Sequence, residues 1–185
     1  MAHRQTAHHE PSRHRSSIPR RKSLRRHTLA PMPGVFPDYP APVIHNTDAG
    51  TEMTLMRWGT PPPPRTGGPP VTNIRNTSSP HWRAWLKPEN RCLVPANSFA
   101  EYAPEPTPET KKKDVVWFAL SEDRPPFAIA GIWTTFNDDR GTKSKPIPGP
   151  DLVYAFLTTT PNAIVEPIHP KAMPVRSEMS GCAHR

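Results

Sequence analysis

The residues of this chain that could do chemistry are few and far apart, and Glu101 and His169 are the clearest candidates. Glu101 closes an apolar run and lies between Phe99 and Tyr102, where a carboxylate is costly to bury unless it has a partner or a task. A carboxylate and an imidazole can serve as general base and general acid, and the amide of Asn73 could hold an oxyanion or a carbonyl oxygen. These three residues can form a catalytic site only if the fold gathers them.

Each of these residues also has a simpler interpretation. Glu101 could face solvent on an edge strand, as most glutamates do. His169 precedes Pro170 and could be a loop residue that hydrogen-bonds the backbone. The residue pattern alone leaves both interpretations open.

The chain has two cysteines, Cys92 and Cys182, and no export signal, which argues against a structural disulfide. Cys92 lies in a predicted strand between Arg91 and Leu93, and this position predicts a small buried residue rather than an exposed thiolate. Cys182 lies in a polar stretch near the end of the sequence. Neither cysteine is predicted to be a prepared nucleophile, and we assign no metal site and no cofactor.

The elements that must position these residues are mostly short strands. The stretch 90–102 predicts two strands across a bend, because Pro95 interrupts the ladder. Further strands are predicted over residues 53–58, 115–120, 127–133 and 152–158, with the middle two paired as a hairpin at the centre of a sheet. Residues 103–113 are predicted to be a loop.

Two short helices are predicted beside the strands. Trp82, Trp85 and Leu86 have helical spacing after Ser79 and Pro80, and Thr160 is placed to cap a second short helix. Two tryptophans on one helical face are more often part of a core than a ligand stack, so we predict that Trp82 and Trp85 pack in the core. With 28 prolines and 34% hydrophobic residues, the composition favours short strands and ordered loops over a helical bundle. We therefore predict an α+β fold with a mostly antiparallel, barrel-like sheet and a few short helices.

The net charge of +8 is concentrated at one end of the chain. Residues 1–30 carry eight Lys or Arg and one acid, whereas residues 31–175 carry fourteen charges of each sign. We predict a disordered basic tail over 1–30, a folded domain over 31–175 and a separate tail over 176–185. No apolar run approaches the roughly 20 residues that span a bilayer, so we expect a soluble protein without a membrane partner. We also expect the protein to be cytoplasmic and monomeric.

Four segments, in order, resemble the SRAP family, the SOS-response-associated peptidases that process abasic sites in DNA. They are Met56-Arg57-Trp58-Gly59, Asn73-Ile74-Arg75-Asn76, Arg91-Cys-Leu-Val-Pro-Ala with Phe99-Ala-Glu-Tyr, and Ile168-His-Pro-Lys-Ala-Met-Pro174. The resemblance covers about residues 31–175 and implies the same barrel-like architecture. It leaves the domain incomplete relative to the family at both ends.

The resemblance implies a role for each matching residue. Asn73 would hold the reaction intermediate, Glu101 would transfer protons and act in removal of the initiator Met, and His169 would assist opening of the sugar ring. Arg75 and Arg91 would contact phosphates of single-stranded DNA, with Trp58 near the strand junction, since guanidinium groups bind phosphate and aromatic rings stack on bases.

In the family, a cysteine after the initiator Met captures the abasic aldehyde as a thiazolidine, which links protein to DNA covalently. Residue 2 is Ala here, so we expect the printed chain to lack the cross-linking nucleophile. The sequence thus favours an SRAP-type enzyme that acts on abasic sites in single-stranded DNA, impaired in its covalent step. A DNA-binding remnant without catalysis, and a hydrolase using Glu101 and His169 on another substrate, are the alternatives.

Overall fold

The structure is a computed structural model, and it describes residues 32–65, 67–139 and 144–178. Across these residues the chain forms strands and two short 3₁₀ helices. The strands are β1 (Pro40–Thr47), β2 (Gly50–Trp58), β3 (Asn73–Ile74), β4 (Arg91–Ala96), β5 (Phe99–Pro106), β6 (Lys113–Phe118), β7 (Phe127–Phe136), β8 (Asp151–Thr159), β9 (Met173–Pro174) and β10 (Arg176–Glu178), and the 3₁₀ helices are Pro80–Trp82 and Pro88–Asn90. No helix in the described part of the chain is both long and apolar enough to cross a membrane.

Five strands close into a barrel. Strand β1 pairs with β2 on one side and with β4 on the other, both antiparallel. Strand β7 pairs antiparallel with β4 and with β8, and the parallel pairing of β2 with β8 completes the ring. Because the ring is closed, none of these five strands is left as a long open edge.

The remaining short strands extend the edges of β8 and β7. Along β8, the partner changes from β2 at Tyr154 to β3 at Phe156 and then to β9 at Thr158. Strand β10 pairs with the first residues of β7, and the backbone of Val175 bridges Ala130 and Leu157. The segment after His169 is therefore built into the sheet.

The core lies inside the barrel, where alternate residues of each strand point inward. Its buried members are Ala41, Val43, Met56, Cys92, Val94, Phe127, Ile129 and Tyr154. A second cluster lies on the outer face of β7 and β8, where Trp82 packs with Ile74, Ile132 and Ala155. The prediction that Trp82 belongs to the core is confirmed, since it is 6% exposed.

Strands β5 and β6 form a separate two-stranded hairpin beside the barrel. Its turn is held by Thr107, whose N–H donates to the Lys112 carbonyl at 2.9 Å. The hairpin continues directly from β4, so it leaves the barrel at the end where β4 terminates. This connection places Glu101 just outside the barrel.

The structure corrects two predictions about the elements. The predicted pairing of 115–120 with 127–133 is wrong, because β6 pairs with β5 whereas β7 pairs with β4, β8 and β10. The loop predicted over 103–113 is also partly wrong, since β5 continues to Pro106. Both errors arose because local alternation indicates that a segment is a strand but does not encode which neighbouring strand becomes its partner.

The fold is mostly β, and the α+β label is not confirmed. Within the described ranges the helical content is limited to the two 3₁₀ helices, and the helix predicted after Thr160 is a series of turns. Pro88 limits the segment that begins at Pro80, and Pro167 and Pro170 limit the segment after Thr160, because a proline inside a helix removes a backbone donor. Ser79 makes no side-chain capping bond to the first 3₁₀ helix.

Candidate functional site

Glu101 and His169 meet beside the barrel. The His169 Nδ1 atom lies 3.5 Å from the Glu101 Oε2 atom, and the two side chains are 35% and 28% exposed, respectively. Burial raises the pKa of the Glu101 carboxyl above its ordinary value, and the nearby His169 partly opposes that rise. A carboxyl group with a raised pKa next to an imidazole in an accessible position is suited to proton transfer.

The position of Glu101 follows from the alternation of β5. Phe99 and Glu101 point to the inner side of the hairpin, opposite Phe118 and Val116 of β6. The rings of Phe99 and Phe118 stack at 5.1 Å and help to anchor the base of the hairpin against the barrel core. The carboxylate therefore faces back toward the domain, and the interpretation of Glu101 as a solvent-facing edge residue does not hold.

His169 is presented by a compact series of turns. Asn162 Oδ1 accepts the N–H of Val165 at 3.0 Å, and Val165 is buried at 4% exposure. The N–H of His169 donates to the Val165 carbonyl at 2.8 Å. His169 is thus a loop residue that hydrogen-bonds the backbone, as its simpler interpretation proposed. This bond uses the backbone N–H, so the imidazole ring can still reach Glu101.

Strand directions explain why these two residues meet. Strands β4 and β8 both run antiparallel to β7, so they end at the same end of the barrel. Glu101 follows β4 and His169 follows β8 in the chain. We call this end of the barrel the site end.

One edge of β8 holds three of the predicted site residues. Along the direction of β8 they come in the order Trp58, Asn73 and Arg75. Trp58 pairs with Tyr154, its indole donates to the Thr72 carbonyl at 3.0 Å, and its ring lies 4.9 Å from that of Phe156. Asn73 pairs with Phe156 and is exposed. Arg75 is exposed just past β3 and forms no ion pair within the described residues.

The edge of β8 leads from these residues toward His169. The Thr158 hydroxyl donates to the Ile74 carbonyl at 3.3 Å, and Thr158 pairs with Pro174 of β9 on the segment that follows His169. Asn73 and Arg75 are therefore grouped with the site end by the backbone of β8.

Arg91 is not brought to this group. It begins β4, about 16 Å of strand from Ala96 at the site end, and its Nε donates to the Leu86 carbonyl at 3.1 Å. Its strand partner is Ile132 of the outer cluster, which also holds Ile74, so Arg91 faces the side of the sheet opposite to Asn73. The contact of Arg91 with DNA stays a prediction, and it would lie on a different surface from Asn73 and Arg75.

Cys92 is buried as predicted, at 4% exposure inside the barrel. Burial raises the pKa of its thiol to about 12, so the reactive thiolate is scarce at neutral pH. Cys182 lies outside the described residues. In the part of the chain that the structure describes, no group of three His, Cys, Asp or Glu side chains could hold a metal ion.

Sequence reasoning missed two cations near the site. Arg176, assigned by the sequence to a separate tail, pairs through β10 with Ile129 and lines a surface depression with Phe99, Phe118 and Met173. Lys171 is exposed two residues after His169. The sequence signal for β10 was the alternation of apolar and polar residues from Met173 to Ser177, which covers only five residues.

Together, fold and site define a closed β-barrel protein that carries an accessible carboxylate–imidazole pair at one end, with exposed cations nearby. The family described as SOS response associated peptidase (SRAP) matches residues 1–179. The chain belongs to this family. The match is wider than the range of about 31–175 that the sequence resemblance covers.

Solved structures share the fold. A protein from Bacteroides thetaiotaomicron is 20% identical with a TM-score of 0.56, over 77% of this chain and 60% of that one. A protein from Bordetella bronchiseptica is 20% identical with a TM-score of 0.52, over 78% of this chain and 69% of its own. A phage-related protein from Bordetella bronchiseptica is 17% identical with a TM-score of 0.51, over 76% and 62% of the two chains.

This chain therefore spans 60% of the length of the Bacteroides protein. No curated protein sequence matches it. At these identities the solved structures establish the fold alone.

Proposed function

We propose that this chain binds single-stranded DNA and acts on abasic sites, with Glu101 and His169 as the acid–base pair. The observation that carries the proposal is the approach of His169 Nδ1 to Glu101 Oε2 at 3.5 Å from two segments separated by 68 positions. Family membership supplies the DNA context. The exposed Asn73 and Arg75 on the neighbouring edge of β8 offer an amide for the reacting oxygen and a cation for phosphate.

The proposed chemistry is capture of the abasic aldehyde by an aminothiol. The amine adds to the aldehyde carbon, the carbonyl oxygen leaves as water, and the thiol sulfur adds to the resulting imine to close a thiazolidine. Glu101 would accept the proton from the amine, and His169 would donate the proton that lets water depart. Asn73 would hold the oxygen before it leaves.

The aminothiol itself must come from outside the described residues. Cys92, the cysteine in the described part of the chain, is enclosed in the barrel. This observation favours a second candidate function, in which the chain binds single-stranded DNA without covalent chemistry. The two candidates share the DNA surface and differ in whether Glu101 and His169 accelerate a reaction.

Free cysteine supplied in solution separates these candidates. A single-stranded oligonucleotide with one abasic site is incubated with cysteine, with and without the protein, and thiazolidine formation is followed by mass spectrometry of the DNA. We expect the protein to accelerate the reaction and Glu101→Gln to remove most of that acceleration, since positioned acid–base groups typically contribute about 10²–10⁴-fold. Glu105→Gln, an exposed carboxylate on the same strand, is the matched control.

If the protein binds the oligonucleotide but does not accelerate the reaction, the non-covalent candidate is correct. If Glu105→Gln reduces the rate as much as Glu101→Gln does, the role assigned to Glu101 is wrong. If neither binding nor acceleration occurs, both candidates fail.

We also propose that Glu101 acts in removal of an initiator Met. A variant in which Met-Cys directly precedes the segment 31–42 supplies the nucleophile in the chain. Its intact mass is expected to show loss of Met, and addition of Glu101→Gln should slow that loss because an amide does not accept the proton. Equal Met loss in both proteins would show that Glu101 has no part in this step.

A further inference from the structure

The β5–β6 hairpin has a second face, directed away from Glu101, that nothing in the described structure covers. Directly paired residues share a face, so Ala100 lies beside Trp117 and Tyr102 lies beside Val115. Alternation along β6 puts Lys113 on the same side. We call these five residues the outer hairpin face.

Three large hydrophobic side chains of the outer hairpin face are exposed to solvent. Tyr102 is 66% exposed, Trp117 is 53% exposed and Val115 is 50% exposed. Large apolar side chains exposed at neighbouring positions on a surface usually mark a site of interaction. Tyr102 and Trp117 occupy diagonal positions on the hairpin, which is within reach of two aromatic side chains.

Charge is divided between the two faces of the hairpin. The inner face carries the carboxylates Glu101 and Asp114, whereas the paired part of the outer face carries the ammonium group of Lys113 and no acid. The adjoining turn exposes Lys111 and Lys112 beside one acid, Glu109, so its net charge is also positive. The outer hairpin face thus combines aromatic rings with positive charge, which complements a ligand that has flat rings and negative charge.

We propose that the outer hairpin face is a stacking platform for unpaired bases of single-stranded nucleic acid, with Lys113 contacting a phosphate. Aromatic rings accept any base and a cation follows the backbone, which is how proteins bind single strands without reading sequence. This inference rests on the proposed function for its ligand. It adds a contact surface on the reverse side of the hairpin from the Glu101–His169 pair.

The placement of the platform suits a strand whose abasic nucleotide lies at Glu101. Tyr102 is the next residue in the chain, and a hairpin is only two strands wide, about 5 Å between strands. A flexible strand can therefore pass an edge of the hairpin and leave its neighbouring bases on the outer face. An abasic site lacks its own base to stack, so holding the flanking bases would position the lesion.

The test uses an undamaged, fluorescently labelled oligothymidylate of roughly 15 nucleotides, within the site sizes of single-strand binders. Fluorescence anisotropy is measured with the full chain at about 0.2 M salt, where electrostatic binding by the basic segment 1–30 is weakened. Because this ligand has no abasic site, the result does not depend on the chemistry at Glu101.

Trp117→Ala and Tyr102→Ala are each expected to weaken binding about tenfold, whereas Trp117→Phe and Tyr102→Phe keep most of the affinity because they keep the ring. Lys113→Ala is expected to reduce the salt dependence of binding by about 0.7 in the log–log slope. The matched control is Leu55→Ala, which removes a 50% exposed apolar side chain from the outer surface of the barrel. Circular dichroism of each variant checks that the fold is kept.

The inference is overturned if both alanine variants bind like the wild type while remaining folded. It is also overturned if Leu55→Ala weakens binding as much as Trp117→Ala does, or if the phenylalanine variants lose as much affinity as the alanine variants. If the alanine variants lose oligothymidylate binding while cysteine capture fails in the wild type, the platform stands and the proposed chemistry falls.

Discussion

His45 and His169 lie in opposite environments of the same domain. His45 is 6% exposed inside the barrel, with its Nε2 atom 3.3 Å from the Thr54 hydroxyl and its ring 4.7 Å from that of Trp133. Burial lowers the pKa of His45, whereas His169 lies at the site end against a carboxylate. His45 is therefore kept neutral and enclosed, whereas the His169 side chain is 35% exposed and reaches the Glu101 carboxylate.

Cys92 and Glu101 differ in their environments in the same way. Cys92 is inside the barrel with a thiol pKa raised to about 12, while Glu101 is outside it with a pKa raised by partial burial but still in contact with solvent and a histidine. Residue type alone does not make a site, because a reactive group also needs access and a partner. In this fold the barrel encloses titratable groups, and the segments after β4 and β8 expose them.

The largest expected effect of a substitution on either side of this comparison is the loss of stability caused by removing a side chain from the barrel interior. Phe127→Ala removes a side chain that is 1% exposed, and large-to-small changes of this kind cost about 3–5 kcal/mol. Tyr102→Ala, on the exposed outer hairpin face, should change the free energy of unfolding by less than about 0.5 kcal/mol. Urea denaturation of both variants measures the difference, and equal losses would show that the hairpin contributes to the core.

Gly131→Ala tests the close packing of β7 against its neighbours. An added Cβ would lie 2.7 Å from the Ala155 carbonyl oxygen and 3.1 Å from Cys92 Sγ. Because a backbone atom must move, we expect a cost of about 1–3 kcal/mol. Gly34→Ala is the control, since its nearest neighbour is the ring of Phe36 at 3.5 Å. A melting temperature for Gly131→Ala equal to that of the control would contradict the expectation.

The titration of His45 should make the stability of the barrel depend on pH. The native pKa is lowered below 6.5, so as pH falls below 6.5 the unfolded chain takes up a proton that the folded chain excludes. Stability is thus full above pH 6.5 and is lost progressively below it, although the charge of Glu52 partly opposes the shift. In His45→Gln the loss between pH 7 and pH 5 should be smaller, as measured by thermal melting; an unchanged pH profile would rule out His45 as the cause.

The smallest expected effect on the free energy of unfolding is that of a substitution in the Glu101–His169 pair. Glu101→Gln should change stability by at most about 1 kcal/mol at neutral pH, because partly exposed ion pairs contribute little. The raised pKa of Glu101 means that folding favours its protonated form, so the ionised form lowers stability as pH rises above 4.5. The variant should therefore gain stability relative to the wild type between pH 4 and pH 7. A relative loss over this range would identify the ion pair as structural.

Local patterns determined much of this protein without a structure. Alternation and β-branched residues predicted β2, β4, β7 and β8, and the burial of Cys92 and Trp82 followed from their neighbours in sequence. The motifs around Asn73, Glu101 and His169 pointed to the family and to the candidate site. These features depend on residues within a few positions of one another, which is the range that sequence patterns encode.

Only the tertiary structure decided which strands pair and which side chains meet. Strand β6 pairs with β5 rather than β7, the ring closes through a parallel contact between β2 and β8, and Arg91 faces away from Asn73. The partner of β6 depends on which of two neighbouring turns brings strands together, whereas the other two outcomes depend on register between segments that are distant in the chain. A shift of one residue in that register would turn every side chain to the other face. The approach of His169 to Glu101 is of the same kind, because it exists only once β4 and β8 both run antiparallel to β7.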